Sequence, residues 1–277
     1  MKAYYNGNYA EYQDIKIPLS DRSIFFGDAI YDVFIGRNQK HYQFKNHYER
    51  LLNNAAFLNL KCPTAEELRK ICDKLVLNCK SDYMVYIQLS RNENKRNHAY
   101  SDNSTTNLLV TSTEINVPDK LEECSVILVP DKRYSYCNIK TVNLLPAVIA
   151  AKKASNFNCD EAVFYLDDGT VTECSHSNVY MLQGNCIYTH PLNSKVLPGI
   201  TRENIKAAAR KTGLCFIEKP FNKKEITICD EIFISSTTKI IKRVISLDNA
   251  KTKLKNPDIL SKIYSILLND FITKTNF

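Results

Sequence analysis

The first hundred residues alternate between stretches with strand-like and helix-like spacing of apolar positions. Residues 30–35 are rich in β-forming side chains and lead through a turn at 36–38 back into 41–44, which predicts a hairpin. Apolar residues recur at helical spacing over 46–60, which predicts a helix. The capping box TAEE at 64–67 predicts the start of a second helix.

Two further predicted strands, at about 83–90 and 106–113, flank a polar loop at 91–105. A loop of this length inside a compact domain is usually functional or mobile. Proline and charge mix at 115–122 between two apolar segments, which indicates a domain boundary.

Strand-like segments dominate the rest of the chain, with helices between them. The predicted elements are a strand at 124–130, a helix at 143–156, a hairpin at 162–173 turning at Asp168-Gly169, strands at 178–182 and 186–189, a helix from Thr201, a strand at 231–236 and a helix over 257–272. Few of them form regular βαβ units, so the pattern predicts two α+β domains, at 1–118 and 119–277.

Only seven glycines occur in 277 residues, and no two of them lie closer than nine positions. The two glycine-rich phosphate loops need glycines about two to five residues apart, so that the backbone can approach a phosphate. The sequence therefore excludes both loops, and another device must hold any phosphate that binds.

The net charge of +7 is concentrated at one end of the chain. Residues 201–277 hold 15 basic and 8 acidic side chains, while residues 1–200 hold 22 of each. The basic residues stand without a run of four and without interleaved aromatic residues, which favours a solvated surface over a nucleic-acid interface.

The ten cysteines form no C-x-x-C pair, which argues against zinc ribbons and indicates reduced thiols. The first residues lack the apolar stretch of a signal peptide, and no uncharged run is long enough to span a bilayer. We expect a cytoplasmic protein without a membrane segment and without a bound metal.

Three segments carry candidate chemistry, and each also has a plain structural interpretation. Lys140 is the only charge between Arg133 and Lys152, at the start of a long apolar segment, and an amine with little water around it favours its nucleophilic form. Glu173 follows a hairpin strand, where a functional carboxylate would be buried and paired with a cation. The helix from Thr201 follows Gly199, so its first N–H groups can bind an anion.

These segments, in this order and at these separations, resemble the class IV (fold-type IV) pyridoxal-phosphate enzymes. That family includes D-amino acid aminotransferases, branched-chain aminotransferases and aminodeoxychorismate lyases. The resemblance covers nearly the whole chain. The matching motifs are 21-DRSIFFGDAIYDVF-34, 47-HYERL-51, IKxxNLL from 139, TVTE from 170, SNV from 177, LPGITR from 197 and SSTT from 235.

The resemblance implies a homodimer whose subunits have a small N-terminal α/β domain, 1–118, and a larger pseudo-barrel α/β domain, 119–277. The larger domain would carry the cofactor lysine, with pyridoxal 5′-phosphate at the domain interface. Lys140 would form a Schiff base with the cofactor's aldehyde and then move the proton between substrate Cα and cofactor C4′.

The resemblance also implies the other cofactor contacts. Glu173 would bind the protonated pyridine nitrogen, and Arg50 would bind the phosphate. The remaining contacts would come from the backbone N–H groups of Ile200 and Thr201, the hydroxyls of Thr201, Thr237 and Thr238, Leu197 on the ring face, and Ser175 and Ser177 at the ring edge.

Arg96 and His98 match the R-x-H pattern with which D-amino acid aminotransferases hold the substrate's α-carboxylate, assisted by a tyrosine that is Tyr31 here. Side chains at i and i+2 of an extended loop point the same way, so two cations can grip one carboxylate. The resemblance therefore favours transfer from a D-amino acid such as D-alanine to a 2-oxo acid such as 2-oxoglutarate, although the same residues also suit a solvated basic loop.

Aminodeoxychorismate lyases and branched-chain L-amino acid aminotransferases would retain Lys140, Glu173 and Arg50, so both alternatives stay open. A nucleic-acid binder would leave the ordered motifs unexplained. The family usually has glycine at position 174, where this chain has a cysteine that we expect to narrow the pocket and alter the substrate range.

Overall fold

The computed structural model describes residues 2–93, 96–255 and 257–276, so Asn94 and Lys95 of the predicted polar loop lie outside the described residues. The chain divides into two compact units. The first consists of Met1–Val117, Ile139–Asn143 and Ile272–Phe277, and the second of Pro118–Asn138 and Leu144–Phe271.

The predicted division at 118/119 stays a prediction, and these units differ from it in one respect that concerns the chemistry. We expected Lys140 in the C-terminal domain, whereas its segment groups with the first unit. The physical reason is backbone pairing, because Thr141 forms a bridge with Ile30 of the first unit.

The first unit contains a six-stranded antiparallel sheet with helices packed against it. Its strands are β1 (Lys2–Tyr5), β2 (Asn8–Glu11), β3 (Ala29–Arg37), β4 (Lys40–His41), β5 (Asp82–Asn92) and β6 (Thr105–Ile115). Its helices are α1 (Ser23–Phe26), α2 (Phe44–Phe57) and α3 (Ala65–Val76). The strand order is β2-β1-β6-β5-β3-β4. The core joins Phe34 and Val85 of the sheet to Leu51 of α2 and Leu68 of α3.

Local signals predicted most elements of this unit but missed β1, β2 and α1. The capping box of Thr64 and Glu67 is present at the start of α3. The hairpin of β3 and β4 is also present, but its turn is formed by Asn38 and Gln39, with φ of 52° and 62°. Gly36 lies inside β3 instead. Glycine is needed there because the ring of Tyr83 occupies the space that a side chain would take.

The second unit contains a nine-stranded mixed sheet. Its strands are β7 (Glu122–Pro130), β8 (Glu161–Tyr165), β9 (Val171–Cys174), β10 (Asn178–Gln183), β11 (Cys186–Thr189), β12 (Cys215–Glu218), β13 (Glu231–Ser236), β14 (Ile240–Leu247) and β15 (Ala250–Lys251). The helices are α4 (Leu145–Asn156), α5 (Ile200–Lys211), α6 (Lys223–Ile228) and α7 (Pro257–Thr275), the last of which ends in the first unit. The order is β12-β11-β10-β13-β14-β7-β8-β9, with β15 beside β14.

The predicted α+β class is confirmed by this mixture of strands and helices. The hairpin of β8 and β9 turns at Asp168-Gly169, and Gly169 has a φ of 85° that favours glycine. The helix expected from Thr201 begins one residue earlier, at Ile200. The strand pair β1 and β2 and the long strand β14 were missed.

Among the described residues, none of the helices combines the length and apolar character needed to cross a membrane. All ten cysteines are free thiols. The described part of the chain also holds no group of three or more His, Cys, Asp or Glu side chains arranged for a metal ion.

Candidate active site

Lys140 lies in a short segment that hydrogen-bonds along the start of β3. The Tyr31 N–H donates to the Lys140 carbonyl oxygen at 2.8 Å, and the Val142 N–H donates to the Ala29 carbonyl oxygen at 3.2 Å. This pairing places the half-buried Lys140 side chain above Tyr31, with Nζ 4.2 Å from the ring centroid. Two residues of the predicted site are therefore in contact.

An asparagine and a glycine hold the end of this segment. The Asn143 side-chain amide donates to the Gly27 carbonyl oxygen at 3.0 Å. A Cβ on Gly27 would overlap the Asn143 side chain, and Gly27 has a φ of 60°. Glycine is thus required in the opening motif for a steric reason that concerns the lysine segment.

The sheet face below Lys140 is aromatic and polar. The rings of Tyr31 and Tyr86 stack with centroids 5.4 Å apart. The Tyr86 hydroxyl donates to Gln88 Oε1 at 2.7 Å, and burial raises the pKa of Tyr86. Sequence reasoning named Tyr31 but missed Tyr86 and Gln88. Their spacing by two along a strand was the available signal.

Arg50 is held by a buried carboxylate on β3. Its Nε and Nη2 lie 2.8 and 2.9 Å from the two oxygens of Asp32. His47, one helical turn earlier on α2, places Nδ1 2.7 Å from Asp32 Oδ1. All three side chains are buried. The pair with Asp32 uses two of the five donors of a guanidinium and fixes the direction of its plane.

Burial and charge act in opposite directions on these groups. Burial raises the pKa of Asp32, but Arg50 and His47 lower it by more, so it lies well below its usual range. Burial lowers the pKa of His47, and the bond to Asp32 offsets only part of that effect. Asp32 is therefore held in its charged form beside Arg50, while its surroundings favour the neutral form of His47.

Glu173 on β9 is buried and paired with a cation, which is the condition set for a functional carboxylate. Arg133 Nη1 donates to Glu173 Oε1. Glu173 Oε2 accepts from Asn178 Nδ2 at 3.0 Å and from the Leu197 N–H at 2.9 Å. Both oxygens are oriented by donors that lie within the second unit.

Arg133 is itself fixed, and sequence reasoning missed its part. Asp131 binds its Nη2 at 2.7 Å and its Nε at 3.0 Å, and the Lys195 carbonyl oxygen accepts from Nη2 at 2.9 Å. Burial raises the pKa of Asp131, but Arg133 outweighs it and lowers that pKa overall. The available signal was the charged triplet 131-DKR-133 directly after the apolar strand β7.

Asn178 ties Glu173 to the start of α5. Its Nδ2 also donates to the Leu197 carbonyl oxygen at 3.1 Å. A Cβ on Gly199 would overlap the Asn178 side-chain oxygen. Glycine at 199 therefore serves this close approach, with an ordinary negative φ of −69°.

The N-terminus of α5 suits an anion. Gly199 is its N-cap and provides no side-chain hydrogen bond to the first turn. Thr201 is not the cap, and its hydroxyl donates to the Ser236 carbonyl oxygen at 3.3 Å. That bond brings Thr201 to the turn after β13, which carries the half-buried Thr237 and Thr238. Orphan N–H groups and hydroxyls at a helix start form a common phosphate site.

Ser177 lies beside a second buried carboxylate, Glu161, and the Ser175 N–H donates to the carbonyl oxygen of the next residue, Ala162, at 2.8 Å. The Ser177 hydroxyl donates to Glu161 Oε2 at 2.9 Å, and the His176 N–H donates to Oε1 at 2.8 Å. Burial raises the pKa of Glu161. Cys174 packs into the core of the second unit, so the expected narrowing of the pocket has no support there.

Arg96 and His98 are exposed and contact the same ring in the first unit. The Arg96 guanidinium lies 5.2 Å from the Phe26 ring centroid, and the His98 ring lies 5.2 Å from it. Phe26 belongs to the opening motif, whose role in this contact was not anticipated.

Comparison with known proteins identifies the class. The family model described as amino-transferase class IV matches residues 29–247. A D-alanine aminotransferase from Bacillus licheniformis is 33% identical over 280 residues, which cover 99% of this chain and 99% of that protein. This chain therefore belongs to the class IV aminotransferases and is an enzyme of that family.

Solved structures agree on the fold. A branched-chain aminotransferase from Thermoproteus uzoniensis superposes with a TM-score of 0.88 at 22% identity, covering 99% of this chain and 97% of that one. A putative 4-amino-4-deoxychorismate lyase from Legionella pneumophila has a TM-score of 0.82 at 24% identity, covering 94% and 97%. The predicted fold-type IV architecture is confirmed, and structures of different activity share it.

Acidification is predicted to weaken the first unit through His47. Because burial lowers its pKa below the value of about 6.5 for an unfolded histidine, the unfolded chain gains a proton that folded His47 rejects. We expect the free energy of unfolding to fall below about pH 6.5, by up to about 1.4 kcal/mol per pH unit from this residue. The free energy of opening of α2, measured by amide hydrogen exchange, should depend less steeply on pH in His47→Gln than in the wild type.

His41 provides the matched comparison, because burial lowers its pKa to about 4 and gives a slope of the same sign. A variant that carries both His47→Gln and His41→Gln should lose both contributions to the pH dependence of the free energy of unfolding. Asp32 acts at lower pH, since the stability it contributes is present above its unfolded pKa of about 3.9 and is lost as the pH falls. If His47→Gln leaves the pH dependence of the free energy of unfolding unchanged, the pKa of His47 is not lowered in the folded protein and the prediction is wrong.

Proposed function

We propose that this enzyme transfers the amino group of a D-amino acid, such as D-alanine, to a 2-oxo acid, such as 2-oxoglutarate, with pyridoxal 5′-phosphate as its cofactor. The observation that carries the D-amino acid assignment is the contact of Arg96 and His98 with one ring, which keeps two carboxylate-binding side chains together. The D-alanine aminotransferase relative, which is similar over nearly its full length, supports the same substrate class.

The residues present fit the cofactor by their chemistry. Glu173 is a buried carboxylate whose oxygens are oriented by Arg133, Asn178 and Leu197, and it would bind the pyridine nitrogen. Arg50, the N–H groups of Ile200 and Thr201, and the hydroxyls of Thr201, Thr237 and Thr238 would bind the phosphate. Leu197 would pack on the ring face, with Ser175 and Ser177 at the ring edge.

Lys140 provides the amine that bonds to the cofactor's aldehyde. When bound, the cofactor supplies an electron sink for the carbanion at the substrate Cα. Lys140 would take the proton from that Cα and deliver it to the cofactor's C4′, a role that suits a half-buried amine fixed at its backbone to β3. Tyr31 and the pair Arg96 and His98 bind the substrate carboxylate.

Lys140→Ala is predicted to abolish covalent attachment of the cofactor. The wild-type protein should show visible cofactor absorbance, and borohydride reduction should add the cofactor mass to the peptide that contains Lys140. Lys140→Ala should show neither signal, and its transamination rate should fall at least about a hundredfold, because a general base is lost. Peptide mass spectrometry and absorbance measure both effects.

Lys152→Ala is the matched control, since Lys152 is an exposed lysine on the following helix α4. It should keep the absorbance, the label on Lys140 and the rate. Labelling of another lysine, or a protein that stays colourless with added cofactor, would refute the cofactor assignment.

The substrate class is tested with one panel of donors and one variant. D-alanine with 2-oxoglutarate should be a better pair than L-leucine, and Arg96→Ala should raise KM for D-alanine by about tenfold or more, because a charge-assisted hydrogen bond is lost. The control Arg69→Ala changes an exposed arginine on α3 and should leave KM unchanged.

Two outcomes of that panel point elsewhere. If L-leucine is a substrate and D-alanine is not, the enzyme is a branched-chain aminotransferase. Pyruvate release from aminodeoxychorismate would assign a lyase. Proteins of both kinds share this fold.

The enzyme works as a homodimer in the cytoplasm. Helix α4 turns small alanines toward the second unit's core and leaves Leu145, Val148 and Ile149 on one face, 63%, 59% and 62% exposed. Monomers rarely expose contiguous apolar faces of this kind. A second copy of this chain covers that face.

Ile149→Asp is predicted to weaken the dimer, because burying an unpaired carboxylate in an apolar interface costs several kcal/mol. Light scattering at micromolar concentrations should show the wild type as a dimer and the variant shifted toward monomer. Ser261→Asp adds the same charge at an exposed position in the first turns of α7, away from α4, and should stay dimeric. A wild-type monomer would overturn this assembly.

A further inference from the structure

The opening motif 21-DRSIFFGD-28 contains an arginine to which neither the cofactor nor the substrate assignment gives a role. We propose that Arg22 is a positioning residue that holds Arg96 and His98 in the geometry that binds the substrate carboxylate. This inference rests on the proposed function of those two residues.

Arg22 is buried, and its guanidinium joins the motif to the loop. Its Nε donates to Asp28 Oδ2 at 2.8 Å. Its Nη1 donates to the Asn97 carbonyl oxygen at 2.5 Å, and its Nη2 donates to the His98 carbonyl oxygen at 3.0 Å. One planar group therefore grips two successive carbonyls of the loop.

Two fixed carbonyls restrict the backbone around them. The orientation of a carbonyl sets ψ of its own residue and φ of the next, so this grip constrains the backbone from Asn97 to His98. Both dihedral angles of His98 are among those constrained, so the direction of its side chain is set, and Arg96 directly precedes this fixed segment.

The ring of Phe26 contacts the side chains of Arg22, Arg96 and His98. Arg22 lies over its ring, with Cζ 4.4 Å from the centroid. Arg96 and His98 approach the same ring, each at 5.2 Å. Arg22 thus holds the loop backbone while Phe26, four residues later in the motif, contacts both of the loop's functional side chains.

The cluster is anchored by a carboxylate shared between two arginines. Asp28 Oδ2 also accepts from Arg91 Nε at 2.9 Å. Arg91 is buried, binds the carbonyl oxygen of Leu58 and lies 3.5 Å from the ring centroid of Tyr100. Arg91 thereby holds the loop beyond His98, and Arg22 holds it at His98 itself.

The test uses Arg22→Lys, which keeps a cation for Asp28 but has one nitrogen and cannot grip both carbonyls. The probe is propionate, a carboxylate with the carbon chain of alanine and no amino group, titrated into cofactor-loaded enzyme by calorimetry. We expect the Kd of propionate and the KM of D-alanine to rise about tenfold, with kcat and cofactor absorbance nearly unchanged.

A double-mutant cycle separates positioning from general damage. In an Arg96→Ala background, Arg22→Lys should add little further loss of propionate affinity, because the group it positions is gone. An equal loss in both backgrounds would overturn the proposal. Arg37→Lys is the control, since Arg37 pairs with Asp82 in the same unit and should leave propionate binding unchanged.

Proteolysis without any ligand tests whether Arg22 holds the loop, independently of whether the proposed substrate is correct. Tryptic cleavage between residues 96 and 97 should be faster in Arg22→Lys than in the wild type and in Arg37→Lys. An unchanged cleavage rate overturns the positioning role, whatever the activity. If cleavage is faster but neither Arg22→Lys nor Arg96→Ala changes the Kd of propionate, then Arg96 and His98 do not bind the carboxylate. The proposed substrate class would be wrong as well.

Discussion

Contacts between carboxylates and arginines organise this chain, because a carboxylate removed from water is stabilised by a cation within hydrogen-bond distance. The buried Asp32 holds Arg50, the buried Glu173 is held by Arg133, and the half-buried Asp28 is shared by Arg22 and Arg91. Removing one partner of a buried pair costs about 3–5 kcal/mol, because the other charge is left buried without compensation. Each pair therefore fixes both of its side chains in one direction.

The arginine fork gives these pairs their geometric value. A guanidinium offers donors in one plane, so a bidentate contact to a carboxylate orients the remaining edge of the group. In this chain Arg133 makes that bidentate contact with Asp131, and its Nη groups also bind Glu173 and the Lys195 carbonyl oxygen. Arg22 contacts Asp28 through Nε alone and binds two loop carbonyls with its Nη groups. The same device serves the loop of the first unit and the carboxylate of the second.

The scarcity of glycine has a related consequence. Gly27 and Gly199 lie where a Cβ would overlap an asparagine side chain, Asn143 in one case and Asn178 in the other. Those two asparagines hold the Lys140 segment and the turn before α5. The few glycines near the candidate chemistry thus make room for side-chain hydrogen bonds, where a glycine loop would use its own backbone.

Short-range sequence patterns were enough to predict most local elements and to indicate the candidate chemistry. The capping box at Thr64, the hairpin turn at Gly169 and the core strands follow from such patterns, and the ordered motifs indicated the family and residues such as Lys140, Glu173 and Arg50. Three arrangements emerged only in the folded chain: Lys140 pairs with β3, Arg133 and Asn178 orient Glu173, and Arg22 binds the loop. These partners lie between 5 and about 110 residues apart along the chain, and periodicity carries no information on pairings that depend on strand register and on the balance of buried charge.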